Sequence, residues 1–307
     1  MEYILRTFGV SKRYRANTVL NDVCMNIARG DIYGFVGENG SGKTTVIRLI
    51  TGLISADEGS LELFGVPSTS PDIINVRKKV GAIVESPSIY RNMSAYQNLS
   101  MQSTILGLQD EAKIVQVLQD VGLLYLYKDP KKANNFSLGM RQRLGIAMAL
   151  LGDPEFIILD EPMNGLDPAG IVEVRELILR LNRERGITFL ISSHILNELS
   201  LVATKYGIIS RGTLLREITA QELEQECRPI TVIETSNPAA LWDLLCTEFP
   251  REALFPLANG TRITGQLHLS ALLQRILQSG IEILSVNCHK SSLESYYLSL
   301  LGGARHG

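Results

Sequence analysis

The most informative segment of the chain is Gly37-Glu38-Asn39-Gly40-Ser41-Gly42-Lys43-Thr44, which follows the apolar run DIYGFV and precedes the helical pattern TTVIRLITGL. A glycine-rich turn between a strand and a helix lets successive backbone amides point at phosphate oxygens, because no side chains block their approach. The positive end of the following helix strengthens that attraction. The pattern GxxxxGK[ST] in this context therefore predicts a nucleotide-binding loop.

The residues of this loop have separate predicted roles. Lys43 should reach the β- and γ-phosphates, and the Thr44 hydroxyl is predicted to ligate Mg²⁺. Nucleotide contacts are predicted for Gly37, Asn39, Gly40, Ser41, Gly42, Lys43, Thr44 and Thr45. The alternative is a glycine-rich turn with a solvated lysine, which would bind no phosphate.

A second site follows the apolar run FIIL, where Asp160 ends a predicted strand and Glu161 comes directly after it. At the carboxyl end of a parallel strand, both side chains can lie over the sheet edge where nucleotides bind. We expect Asp160 to hold Mg²⁺ and Glu161 to act as general base for the attacking water. Two acids that merely cap the next helix are the alternative interpretation.

His194 ends another apolar run, Thr188 to Ser193. A histidine at such a strand end is often structural, but here the sheet-edge position places it beside the other candidates. We expect it to position the γ-phosphate and the catalytic water through hydrogen bonds.

Short β-branched runs alternate with helical patterns through the first two thirds of the chain, which predicts an α/β fold with a buried parallel sheet. Between Ser94 and Leu151 the apolar period becomes helical, which predicts a helical subdomain at about 86–151 inside a domain spanning 1–220. The acidic stretch Thr219 to Pro229 is predicted to be a linker. Residues 228–307 then show the order β-α-β-β-α-β with an Asn259-Gly260 hairpin turn, which predicts a small C-terminal α+β domain of the ferredoxin-like type.

The composition excludes several classes of protein. The 307 residues carry a formal charge of −2, which gives no basic surplus for binding nucleic acid. No run of about 20 apolar residues and no signal peptide is present, so we expect a cytoplasmic protein. The four cysteines form no CxxC pair, and we expect them to be buried apolar residues rather than disulfides or zinc ligands.

Four motifs occur in one order along the chain: Tyr14 before the phosphate loop, FSLGMRQR at Phe136 to Arg143, NGLDP at Asn164 to Pro168, and Ser193-His194. From Met1 to about Thr219, this order resembles the nucleotide-binding subunit of ABC transporters. The resemblance implies a P-loop NTPase fold, with a RecA-like core and a helical subdomain.

The same resemblance implies the roles of further residues. Tyr14 would stack on adenine, although a core aromatic is the alternative, and Asp167 would belong to the nucleotide site. Ser137 would contact the γ-phosphate of an ATP held by a second copy, with the Gly139 amide behind it, although FSLGMRQ also suits a Ser-capped helix. ATP and Mg²⁺ would be bound between two chains, either a homodimer or a heterodimer with a paralogue. Integral membrane permease subunits would be partners, at the inner face of the cell membrane.

Two departures from the family pattern stand out. Leu138 and Met140 replace the usual glycine and glutamine of the signature motif. Glu85 replaces the usual glutamine that reaches the metal, and we expect its carboxylate to hold Mg²⁺ more firmly. The segment after Glu85 meets the permease in this family, with Tyr90, Met93 and Tyr96 as interface candidates or, equally, as part of the core of the helical insert.

The glutamate and the SLESYYLSLLGG tail resemble one branch of the family, the ATPase subunits of bacitracin and lantibiotic exporters. That branch predicts resistance or self-immunity toward antimicrobial peptides. An exporter of another drug, lipid or polysaccharide remains an alternative. So do a soluble ABC ATPase that remodels nucleic-acid or ribosome complexes and a catalytically silent regulatory module.

Overall fold

The computed structural model of the chain describes residues 2–15, 17–108, 110–227, 229–265, 267–289 and 293–303. The chain divides into two compact units, Met1–Ala220 and Gln221–Gly307. Within the described residues, every helix is too short or too polar to span a bilayer.

The first unit contains strands and helices in this chain order: β1 (Tyr3–Tyr14), β2 (Asn17–Val23), β3 (Asn26–Ala28), β4 (Ile32–Val36), α1 (Lys43–Thr51), β5 (Glu58–Leu63), β6 (Val66–Pro67), α2 (Ile73–Arg77), β7 (Val80–Ile83), α3 (Ala95–Ile105), α4 (Glu111–Asp120), α5 (Leu138–Leu150), β8 (Phe156–Asp160), α6 (Pro168–Arg185), β9 (Thr188–Ser193), α7 (Leu196–Leu199), β10 (Lys205–Ser210) and β11 (Thr213–Thr219). Short 3₁₀ turns lie at Leu124–Leu126 and Ala133–Asn135.

The central sheet has the strand order β11-β10-β4-β9-β8-β7, and all its pairs are parallel except β10 with β11. Every residue of β4, β8 and β9 is buried, as the continuous apolar runs predict. Ser193 lies beside Val36, and Ser192 lies beside Asp160. The carboxyl ends of β4, β9 and β8 therefore meet at one edge of the sheet, in that order.

A second, antiparallel sheet has the order β2-β1-β5-β6, with β3 also paired to β1. Its apolar side chains share one core with α1 and with strands of the central sheet. Members of this core are Leu5, Val10, Leu20, Ile47, Ile50, Phe156, Ile158 and Leu190. This packing fixes α1, and with it the end of the glycine-rich loop, between the two sheets.

Helices α3, α4 and α5 lie where the sequence predicts a helical insert between β7 and β8. Ser94 and Gln97 form a capping box at the start of α3, and Asp110 caps α4. Their apolar faces are buried, for example at Leu99, Val117 and Leu144.

The second unit contains α8 (Ala220–Glu226), β12 (Ile230–Thr235), α9 (Pro238–Glu248), β13 (Leu254–Leu257), β14 (Gly260–Thr264), α10 (Leu269–Gln278), β15 (Ile283–His289) and α11 (Leu293–Gly303). Its sheet is antiparallel, in the order β13-β14-β12-β15. From β12 to β15 the predicted element order is observed, whereas the ferredoxin-like assignment stays a prediction.

Two expectations from the sequence are wrong. The stretch expected to be a linker forms α8, with Leu223 buried, because its glutamates and glutamines favour a helix that covers one apolar side chain. The cysteines are not buried: Cys24 and Cys288 are exposed, and Cys227 and Cys246 are half-buried. All four are free, as expected.

Candidate nucleotide-binding and hydrolysis site

The glycine-rich loop runs from the end of β4 to the start of α1 and closes tightly on its neighbours. A Cβ at Gly37 would lie 2.5 Å from both the Ile209 carbonyl oxygen and Ser41 Oγ, so no other residue fits there. Gly42, at the N-terminus of α1, has a φ of +109°, which side chains rarely allow. The loop borders a pocket of about 220 Å³ lined by Val19, Asn39, Gly40, Gly42, Lys43, Thr44, Thr45 and Glu161.

Lys43 folds back over this loop. Its Nζ donates to the carbonyl oxygens of Gly37, at 2.6 Å, and Glu38, at 3.2 Å. Burial lowers the pKa of Lys43, and the nearby charges of Glu161 and Asp160 oppose that effect. Nζ lies 3.7 Å from Glu161 Oε1, which is an ion-pair distance rather than a hydrogen bond. The Lys43 ammonium group thus lies between two carbonyl oxygens of the loop and the Glu161 carboxylate.

Thr44 and Asp160 meet across the gap between α1 and β8. The Thr44 hydroxyl donates to Asp160 Oδ2 at 2.9 Å, and the Ser192 hydroxyl donates to Asp160 Oδ1. Asp160 is 3% exposed, so these bonds hold its carboxylate in one orientation. Ser192 was missed from the sequence, although a polar residue inside the apolar run TFLISS signals a buried hydrogen-bond partner.

Glu161 turns sharply after β8. Its φ is +50°, an uncommon value for a residue with a side chain, and its amide donates to the Ser192 carbonyl at 3.1 Å. Its Oε2 forms a hydrogen bond of 2.8 Å with His194 Nδ1. In the part of the chain that the structure describes, Oε1 is buried without a hydrogen-bond partner. One carboxylate oxygen is therefore oriented by histidine, and the other faces the lysine without a hydrogen bond.

The residues present fit a phosphate group with a hard divalent cation. The Ser41 hydroxyl is 5% exposed and has no hydrogen-bond partner among the described residues, so the loop contains an unsatisfied polar atom. Thr44 and Asp160 supply oxygen ligands, which Mg²⁺ prefers, and this ion usually takes few protein ligands beside phosphate oxygens and water. No cluster of three or more His, Cys, Asp or Glu that could hold a metal occurs within the described ranges.

Tyr14 lies at the end of β1 and does not line the pocket. It is 43% exposed, which contradicts the alternative of a core aromatic. It pairs with Asn17 of β2, two residues before Val19, which does line the pocket. The β1–β2 hairpin thus connects the tyrosine to the loop. Val19 was not predicted, because a single apolar residue in a strand carries no signal for a ligand.

Ser137, Gly139 and Asp167 also lie outside the pocket lining. Ser137 caps α5 by accepting from the Met140 amide at 3.1 Å, and it is exposed. Asp167 caps α6 in the same way, accepting from the Gly170 amide at 3.0 Å. Within one chain these side chains have capping roles, and their predicted contacts to nucleotide stay predictions.

Glu85 follows β7 by two residues and has a φ of +63°. Its carboxylate is 61% exposed and pairs with Arg48 Nη2 on α1. Arg48 lies one helical turn after Thr44 on α1, but Glu85 does not line the pocket that Thr44 borders. Its role as a metal ligand stays a prediction.

The amino-acid sequence is similar to those of known ATP-binding proteins. The ABC transporter family model matches residues 20–164. The bacitracin transport ATP-binding protein BcrA of Bacillus licheniformis is 39% identical over 100% of both chains. The lantibiotic transport ATP-binding protein SrtF of Streptococcus pyogenes is 44% identical over 70% of this chain and 90% of its own.

Solved structures agree on the fold. The cbiO1 protein of Clostridium perfringens, part of the ABC transporter complex cbiONQ, superposes with a TM-score of 0.66 at 27% identity, covering 74% of this chain and 92% of its own. The ADP conformation of the ATP-binding cassette MJ1267 gives a TM-score of 0.66 at 26% identity, covering 73% of this chain and 94% of that one. Since the match to a relative extends over the whole length, the chain belongs to the ABC transporter family as one of its ATP-binding, ATP-hydrolysing subunits.

Proposed function

We propose that this chain drives the export of bacitracin- or lantibiotic-type peptides through a membrane permease, and so gives resistance or self-immunity. Support comes from the names of its relatives: two bacitracin transport proteins, at 39% and 34% identity over nearly the whole chain, and a lantibiotic transport protein at 44%. The observation that carries the enzymatic part is the meeting of Thr44, Asp160, Glu161 and His194 at one sheet edge beside the glycine-rich loop.

ATP would bind with its phosphates against the loop amides. The Lys43 ammonium would then leave the Gly37 and Glu38 carbonyls and bind β- and γ-phosphate oxygens instead. Thr44 and Asp160 would hold Mg²⁺, which neutralises phosphate charge when bound. The unpaired Ser41 hydroxyl would gain a phosphate oxygen as its acceptor.

Glu161 would take the proton of the attacking water. Its unbonded Oε1 faces the pocket side occupied by Lys43, and the bond from His194 fixes the other oxygen. A general base held within reach of water contributes about 10²- to 10⁴-fold in rate. His194 would in addition reach toward the γ-phosphate through its second ring nitrogen.

Two copies would enclose each ATP. Ser137 and the N-terminus of α5 are exposed in the single chain, with a 13-residue helix behind them. The Ser137 hydroxyl oxygen accepts from the Met140 amide, but its proton can still be donated to a phosphate oxygen beside the helix N-terminus, and a second copy would bring both to the pocket. We propose either a homodimer or a pair with a paralogue. Leu138, 40% exposed at this surface, would make an apolar contact to the partner.

The permease would dock at a groove of about 270 Å³ beside the edge strand β7, at the inner face of the membrane. Its walls include Val80, Ala82, Pro87, Gln102, Leu106 and Met148. Glu85 lies between Val84 and Ser86, which both line this groove, so a movement of Glu85 at the nucleotide site would reach the permease. Of the predicted interface residues, Tyr90 is 47% exposed, whereas Tyr96 packs edge-to-face on Tyr127 at 5.5 Å. Tyr90 is therefore the better candidate.

The transport proposal is tested in the source organism. Replacing the gene by one encoding Glu161→Gln should lower the minimum inhibitory concentration of bacitracin or a lantibiotic several-fold. The minimum inhibitory concentration of an antibiotic that acts inside the cell should not change. A variant strain that resists both peptide classes as well as its parent would contradict peptide export and favour another exported substrate.

A further inference from the structure

An ion pair between Lys12 and Asp57 lies beside Tyr14 and has no role in the hydrolysis proposed above. Lys12 Nζ lies 5.6 Å from the centre of the Tyr14 ring and 2.8 Å from Asp57 Oδ1. The Lys12 side chain is only 15% exposed, although a lysine on a strand near a turn usually extends into solvent. The ammonium is thus held against the aromatic ring by a carboxylate.

Asp57 is itself fixed to β1 by two backbone contacts. Its amide donates to the Ser11 carbonyl at 3.0 Å, and its Oδ2 accepts from the Arg13 amide at 2.6 Å. Arg13 in turn pairs with Glu58 at 2.9 Å. The loop before β5 is therefore bonded to the last residues of β1. These bonds hold the Asp57 carboxylate in place beside Lys12.

We propose that Lys12, held by Asp57, is a positioning residue for the nucleotide base: it keeps the Tyr14 ring oriented as a stacking surface before the base arrives. This rests on the proposed function and on the stacking of Tyr14 on adenine that the family resemblance implies. A cation over one ring face, within about 6 Å, attracts the ring and restricts its rotation. An exposed ring that is already ordered loses less conformational entropy when a base stacks on it.

The position of the hairpin supports this role. Tyr14 pairs with Asn17 in the β1–β2 hairpin, and Val19, two residues further along β2, lies at an irregularity in the pairing and lines the phosphate pocket. One hairpin thus carries both the predicted stacking residue and a residue of the phosphate pocket. Lys12 is not among the residues that line the phosphate pocket, so we expect its effect to fall on the base.

The test compares ADP with pyrophosphate, which lacks the base and ribose, by isothermal titration calorimetry of the full chain at a fixed Mg²⁺ concentration. Lys12→Met keeps the length of the side chain without its charge, and Asp57→Asn keeps an acceptor for the Arg13 amide. Each should weaken ADP binding about two- to fivefold, as expected for an exposed cation–π contact, and leave pyrophosphate binding unchanged. The matched control is Lys128→Met, which removes a lysine 5.8 Å from the Tyr127 ring and should change neither affinity.

Tyr14→Ala separates this inference from the proposed function. It should weaken ADP binding at least fivefold, the loss expected for one stacked base, and Lys12→Met should add nothing in its background. If Tyr14→Ala leaves ADP binding unchanged, the assignment of Tyr14 to adenine is wrong. If Tyr14→Ala weakens ADP binding but Lys12→Met and Asp57→Asn do not, only the positioning role is wrong. A parallel loss of ADP and pyrophosphate affinity would show that Lys12 acts on phosphate, and would also overturn it.

Discussion

His194 Nδ1 lies 2.8 Å from Glu161 Oε2, although 33 positions separate the two residues. The contact exists because β8 and β9 are parallel neighbours whose carboxyl ends lie side by side. His194 binds Oε2 of the Glu161 carboxylate, and the other oxygen, Oε1, faces Lys43. We therefore expect the two residues to act as one catalytic unit rather than in separate tasks.

Replacement of His194 by alanine should lower the kcat of ATP hydrolysis by about tenfold to a hundredfold, because a misplaced base loses reach to the water. The KM for ATP should change little, since the loop is untouched. Steady-state phosphate release measures both constants. The control is His268→Ala, an exposed histidine of the second unit, which should behave like the parent protein. A variant at His194 with unchanged kcat would exclude the positioning role.

The ion pair between Glu85 and Arg48 allows a prediction about Mg²⁺. Glu85→Gln should retain ATP hydrolysis but require a higher Mg²⁺ concentration for half-maximal activity, because an amide is a weaker ligand than a carboxylate. Arg48→Met should shift the requirement in the opposite direction, because it frees the carboxylate. Titrations of ATPase activity with Mg²⁺ give both midpoints.

Glu176→Gln is the control for this pair, because Glu176 is 66% exposed and pairs with Arg175 on α6, away from the loop. Its midpoint should match that of the parent. Unchanged Mg²⁺ dependence in Glu85→Gln would mean that the glutamate serves only the pair with Arg48.

Asp31 gives a pH dependence of stability. Burial raises the pKa of this carboxyl above its usual value of 3.8, although the Ala28 amide and Lys205 partly oppose the shift. The folded chain then binds the Asp31 proton more tightly than the unfolded chain. The stability contributed by Asp31 is therefore fully present below about pH 3.8 and is lost as the pH rises through the raised pKa.

Asp31→Asn removes that titration and keeps an oxygen to accept from the Ala28 amide, a bond of 2.8 Å. The melting temperature of the variant should exceed that of the parent by a margin that grows from about pH 4 to pH 7. Scanning calorimetry across this range measures the margin, with the exposed Asp243→Asn as baseline. A margin independent of pH would contradict the role of burial.

The sequence predicts the strands around the site and the residues at their ends well. Apolar runs at Phe156–Asp160 and Thr188–Ser193 form β8 and β9 with those bounds, because strands buried on both faces leave an unambiguous pattern. Glycine spacing likewise marks the loop. In these elements local sequence and fold agree.

Side-chain pairing across elements could not be predicted in the same way. Glu85 pairs with Arg48, which lies 37 positions earlier in the chain, and no sequence periodicity predicts a contact between residues so far apart. The hydrogen bond from Lys43 Nζ to the Gly37 carbonyl likewise depends on how the loop folds, which the motif alone does not show. The sequence wrongly predicts a linker where α8 forms, because composition alone cannot distinguish a polar helix from a linker.

ATP turnover by Glu161→Gln is the sharpest test of the general base, because the substitution changes one carboxylate oxygen and leaves the loop, Thr44 and Asp160 intact. Phosphate release should fall by about 10²- to 10⁴-fold, while ATP still converts the variant to dimers in sedimentation velocity. Turnover close to that of the parent protein would contradict the assignment of Glu161 as the general base of this ATPase.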